Sequence, residues 1–186
     1  MAITATDILF KLSVDSTAGN TTAQSDPDAS LGEFISTTQV GTAKNDLFDN
    51  VTGDQAAAGV TEYRCIFVHN DHGSLTWENV YAWISAEDTS DSNGANIAIA
   101  VDSTASSAVG SGTAQALGPL ADEEDSTSVL SGLTFSAPTT KGAGVSLGNI
   151  ASGNVKAIWI RRTIAASSTA YNDDDFTLSV EGDTAA

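Results

Sequence analysis

The sequence is short of basic residues, cysteine, proline and long apolar runs, and each shortage removes a class of function. Seven Lys and Arg stand against 24 Asp and Glu, for a net charge of −17 and a pI near 4.1. Such a surface repels a phosphate backbone and an anionic bilayer, so neither a nucleic-acid nor a membrane partner is expected. The single cysteine, Cys65, has no intramolecular disulfide partner. It falls inside an apolar strand pattern, where a buried, inert thiol and a reducing cytoplasm of synthesis are expected. No stretch approaches the roughly 20 apolar residues that span a bilayer. The N-terminal "MAITATDILFKLS" lacks the basic start and continuous apolar stretch of a signal peptide. Lys, Arg and Met are scarce beside Ala, Ser, Thr, Gly and Asp, a balance that suits short strands and many turns better than long amphipathic helices.

What is present is alternation with period two. In "DILFKLSV", Ile8, Phe10, Leu12 and Val14 share one face. "EFISTTQV" is a second, shorter strand. "KNDLFDNVTGDQAAAG" reads as a short helical turn or irregular segment, with Leu47, Phe48 and Val51 at helical spacing and Gly53 closing it, that caps one end of the core. "EYRCIFVHN" is a central strand with Tyr63, Cys65 and Phe67 on one face and Arg64, Ile66 and Val68 on the other. "NDHGS" is a turn. It leads to "LTWENVYAWISAED", where Val80, Ala82 and Ile84 oppose Tyr81 and Trp83. "DTSDSNG" is another turn, and "ANIAIAVD" another strand. Residues 103–131 form a long excursion, with a short strand near "TAQAL" and an acidic run at 122–125 that should face solvent. "SGLTFSAPTT" is a strand ending at Pro138. "GVSLGNIASGNVKAIWIRRTI" holds two strands, and after the loop "AASSTAYNDDD" the strand "FTLSVEG" turns Phe176, Leu178 and Val180 inward. About eight strands at this spacing predict an all-β, antiparallel β-sandwich, immunoglobulin-like or jelly-roll, with an N-terminal extension. One domain is expected overall, with 1–60 contributing a strand and arm region and 61–186 the main sandwich.

Two stretches resemble the pattern of bacterial and viral immunoglobulin-like modules: "FVHNDHGSLTWENVYAWIS" and "SLGNIASGNVKAIWI". In the second, Gly148 and Gly153 permit a tight corner while Leu147 and Ile150 plug the sandwich end. The chain as a whole resembles small structural proteins of tailed bacteriophages through "LGEFISTTQV", "LFDNVTGDQAAAGVTEYRCIFVHN", "KAIWIRRT" and "VEGDTA". That resemblance implies a non-enzymatic virion protein, with no cofactor and no catalytic residues. It would be made in the host bacterial cytoplasm and bound to the capsid exterior as a decoration or cement protein. Its partners would be the major capsid protein and neighbouring copies of itself. The alternative is a tail, fibre or surface-adhesion module that binds host glycans.

Individual residues carry sharper hypotheses. His69 and His72 form a His-x-x-His pair, yet on a strand entering a turn, with only Asp71 near enough in sequence to help hold a metal. No Gly-x-Ser-x-Gly elbow accompanies the many serines. The acids at 122–125 and 173–175 could bind calcium, but lack the alternating ligand spacing of an EF-hand loop, and a solvated loop is the ordinary reading. Arg161 and Arg162 point to opposite faces of a strand, each with a salt bridge expected. Among the tryptophans, Trp83 and Trp159 alternate with core positions. Trp77, near a strand start, is the candidate glycan contact. For docking on a capsid, an acid-poor surface is required, and Ile3 and Ile8 with Phe34, Ile35, Leu47 and Phe48 are the candidates.

Overall fold

Alternating apolar residues become paired strands in the computed structural model, which describes residues 2–16, 21–87, 94–169 and 174–184. Among the described residues, nine strands run β1 (Ile8–Val14), β2 (Phe34–Gln39), β3 (Val60–Asn70), β4 (Trp77–Glu87), β5 (Asn96–Val101), β6 (Ser107–Ala108), β7 (Val145–Ile150), β8 (Asn154–Ile164) and β9 (Phe176–Thr184). They form an antiparallel β-sandwich. The larger sheet has the order β2-β1-β3-β8-β5, with the two residues of β6 also on β8, and the smaller has the order β7-β4-β9. The spine is the β3–β8 ladder, from Val60 opposite Ile164 to His69 opposite Val155. No helix among the described residues is long and apolar enough to cross a membrane.

Two topological themes coexist. The order β1-β3-β8-β5 facing β4-β9 follows the A-B-E-D and C-F arrangement of an immunoglobulin-like sandwich. The added strand β7 makes a second theme. Because β3 pairs β8 while β4 pairs β7, two successive corners are rolled together as in a jelly roll. The corner is pinned by Asn70, which is fully buried. Its Nδ2 donates to Leu75 O and Ile150 O, both at 2.9 Å. Ser152 Oγ donates to His72 O (2.6 Å) and Gly153 N to Asn70 O (2.8 Å). Gly153 takes φ 72°, a left-handed conformation that favours glycine.

Both faces of the larger sheet are covered, which explains why β3 and β8 are apolar on both sides. Toward the smaller sheet, Leu12, Ile66, Val68, Ile158 and Ile160 pack on Val80, Ala82, Ile84, Leu147 and Ile150. On the opposite face, Ile35, Tyr63, Cys65, Phe67, Val155, Ala157 and Trp159 are covered by Ala116, Leu120 and Leu130 of the excursion. Burying one large apolar side chain stabilises by roughly 1.5–3 kcal/mol, so the excursion is a third layer of the fold. Asp102 anchors it. Buried, Asp102 accepts from Trp159 Nε1 (2.7 Å), Leu117 N (2.8 Å) and Thr104 N (2.7 Å).

Several local expectations are corrected. Gly53 opens a helix rather than closing one. Helix α1 (Gly53–Ala58) starts there because Thr52 and Gln55 form a capping box, in which each side chain accepts from the other residue's backbone N–H. The "TAQAL" residues form no strand, because their backbone turns to meet the residue before β2: Gln115 N and Ala116 N both donate to Glu33 O. "SGLTFSAPTT" contributes only one bridge, Ser136 to Ile99. The first 60 residues supply two strands of the larger sheet and the segment that closes one end of the sandwich. Most of the "DTSDSNG" turn (88–93) and part of "AASSTAYNDDD" (170–173) lie outside the described residues.

Candidate functional site

The densest chemistry sits at one end of the sandwich. Glu62 and Arg64 alternate with Ile66 and Val68 on the core face of β3, and Arg162 follows Ile158 and Ile160 on β8. All three are buried, Glu62 and Arg64 completely. The groups that face them come from 47–55, Asp28 and Glu123 rather than from the smaller sheet. Arg162 Nε donates to Glu62 Oε2 (2.7 Å) and Nη1 to Asp49 O (2.7 Å), while Nη2 reaches Asp49 Oδ1 (3.2 Å). Arg64 Nε donates to Leu47 O (3.0 Å) and Nη1 to Tyr63 O (3.1 Å). Its Nη2 meets the carboxylates of Asp28 and Glu123. The two guanidinium carbons lie 4.9 and 4.6 Å from the centroid of the Phe48 ring. Gln55, already part of the helix cap, donates from Nε2 to Glu62 Oε1 (3.0 Å).

This cluster resembles a catalytic or cation-binding centre in composition but not in wiring. Asp28, Asp49 and Glu123 bring carboxylate oxygens within 4.8 Å of one another, and Arg64 and Arg162 already neutralise them. Buried ion pairs lose hydration and hold only when their remaining donors are satisfied. Here each nitrogen of both guanidinium groups has an acceptor or a carboxylate partner. Burial holds the Glu123 carboxyl above its ordinary range, against the pull of Arg64. Glu123 is thus the member of the 122–125 run that turns inward, contrary to the expectation that the run faces solvent. The sequence carried one overlooked signal of this network. Glu62, Arg64 and Arg162 occupy core-facing parity on strands otherwise filled by Ile and Val.

The remaining sequence candidates are held by the fold in other ways. His69, buried near the end of β3, has its pKa lowered by burial and by Lys11, with Asp71 pulling the other way from 3.8 Å. His72 Nδ1 accepts from Ser74 N (3.1 Å) and Leu75 N (3.0 Å) and so shapes the turn. Cys65 is fully buried, which pushes its thiol well above the usual range. Arg162 has its carboxylates, whereas Arg161 stacks on Phe135, 5.1 Å from the ring centroid. Trp77 is 5% exposed and belongs to the core, so the glycan-contact assignment fails there; on the outer face of β4, Tyr81 and Trp83 are half-exposed. Of the docking candidates, Phe34, Ile35 and Phe48 are buried and unavailable to a partner. Ile35 packs under the excursion and Phe48 under two guanidinium groups. Ile3, Ile8 and Leu47 stay half-buried at the margin of the inter-sheet core.

Ile3 and Ile8 lie together in a second place, the seam between β1 and β9. A groove of about 330 Å³ runs there, lined by Ile3, Ile8, Phe10, Trp77, Leu178 and Val180. On β4, the inward residues Val80, Ala82 and Ile84 are closed off completely or nearly so. On β9, the inward residues Phe176, Leu178 and Val180 all remain partly open. The difference follows from position: β4 is central in its sheet, and β9 is an edge. Only Glu181 among the groove-lining residues is charged. Comparison with known proteins returns no match, whether to a family model, a curated protein or a solved structure.

Proposed function

We propose that the chain is a non-enzymatic docking protein, a decoration or cement protein that binds the exterior of a tailed-phage capsid and stabilises the shell. The phage assignment rests on the sequence resemblance carried by "LGEFISTTQV", "KAIWIRRT" and the other stretches quoted above. The observation that best supports docking is the open β1–β9 seam. It is where inward-facing apolar side chains of both sheets remain accessible, and it contains two of the docking candidates, Ile3 and Ile8. The wiring of the charged cluster supports the absence of catalysis, since its arginines and acids are spent on one another and on backbone carbonyls. Adhesion would bury the seam at about 25 cal/mol per Å² before association costs. Many copies on a lattice would then add modest contacts into a firm coat.

The test uses capsid shells purified without this protein. Added protein is expected to decorate the shells in electron micrographs and to raise the temperature at which they rupture. No decoration and no change in rupture overturns the proposal. A glycan-binding adhesion module is the second reading, now resting on Tyr81 and Trp83 rather than Trp77. Binding on a glycan array that is lost in Trp83→Ala would favour it.

A further inference from the structure

Three features meet in the β1–β9 seam. Its apolar floor is made by Ile8 and Phe10 of one sheet and Leu178 and Val180 of the other. Strand β9 pairs with β4 along one edge and with no strand along the other among the described residues; Ile3 N reaches only its last residue, donating to Thr184 Oγ1 (3.2 Å). The third feature is the Trp77 indole N–H. Its side chain is buried in the groove wall. That nitrogen lies beneath Gly182, where an added Cβ would stand 2.8 Å from it and 2.7 Å from Glu78 O. Only glycine leaves the strand seated this low.

We propose that the seam receives an extended, base-bearing segment of another protein, which adds to the free edge of β9 as a fourth strand of the smaller sheet. The inference rests on reading the chain as a docking protein and names the face and the partner chemistry. An added strand would satisfy the row of main-chain donors and acceptors along the edge, while every second side chain entered the groove. The charge selects the occupant. The outward residues of β9 include Glu181 and Asp183, and Asp7 lies just before β1. Lys141 offsets Glu181 at 2.6 Å, and no basic residue lines the groove. Acids on an edge strand discourage pairing with a second copy, which would bring another −17 charges. The same acids attract a cationic segment.

A displayed library of random eight-residue peptides, panned against the intact protein, tests the proposal. The selected peptides are expected to alternate apolar with Lys or Arg and to slow amide exchange along 176–184. Their binding should weaken roughly tenfold in the exposed charge-reversed variant Glu181→Lys/Asp183→Lys and fall further in Leu178→Ser. If no selected peptide protects β9, or if binding is indifferent to both variants, the proposal is overturned. Concentration-dependent dimers of the free protein with protected β9 amides would overturn it in favour of a second copy. Shell decoration with β9 exchanging as in the free protein would defeat this inference and leave the docking function standing. Absence of decoration with β9-protecting peptides would do the reverse.

Discussion

Near Glu62 the gap between the sheets is filled with charge, whereas along the β1–β9 side it is left apolar and open. The first region has the residues that usually attract attention: two arginines, four carboxylates and an aromatic ring. Each is engaged by its neighbours, and the result is a plug. The second region has an apolar floor with its acids at the rim, and its aliphatic side chains remain partly open on one side. Residue type therefore misleads about use, and the better guide is whether a group's interactions are complete. Charge in the plug is complete; apolar surface in the seam is not.

Removing one member of the plug should have the largest effect. Arg162→Ala leaves Glu62 buried without its ion pair and should lower stability by about 3–5 kcal/mol in urea unfolding. The double variant Glu62→Leu/Arg162→Met removes both charges and should recover most of that loss. If the single and double variants are equally damaged, the plug is held by packing and not by paired charge. Phe48→Ala should cost about 3 kcal/mol or more, because the ring carries both guanidinium groups as well as apolar contacts. Thr52→Ala should cost about 1 kcal/mol through the lost helix cap. It should also loosen Gln55 from Glu62, which a double-mutant cycle with Gln55→Ala would reveal as non-additivity.

The smallest effect concerns pH. His69 titrates lower in the folded protein than its ordinary value of 6.5, chiefly because of burial. Its neutral form is favoured by folding, so its contribution is present above that value and is lost as pH falls toward the folded pKa. Glu123 has the opposite sign. Its raised pKa favours the fold at acid pH, and that contribution is lost as pH rises through the folded value. The stability difference between the protein and His69→Gln isolates the histidine: it should shrink as pH falls from 7.5 to 5. A pH-independent difference would contradict the assignment.

The sandwich was legible because strands declare themselves by parity. β1, β3, β4, β5, β8 and β9 all follow the alternation of their apolar residues, and the split of β3 into a Cys65 face and an Ile66 face matches two separate cores. The excursion was less legible. Ala116, Leu120 and Leu130 are too sparse to show a period, and their burial depends on a sheet face supplied from elsewhere. Trp77 was misjudged because a strand start is ordinarily near an edge; here a register irregularity in β4 folds the indole under Gly182. Glu123 lay hidden in an acidic run whose other members are exposed or partly so, since only the partner Arg64 distinguishes it. The seam was legible on one side only: Ile3 and Ile8 are among the docking candidates, but Leu178 and Val180 look like ordinary core positions, and the absence of a strand beside β9 among the described residues leaves them open.

Hydrogen exchange of the protein free and bound to capsid shells tests the central claim most directly. The account predicts new protection along 176–184 and at 8–10 on binding, with 47–64 unchanged. Protection confined to 47–64, with β9 exchanging as in the free protein, would contradict it and return the function to the charged end.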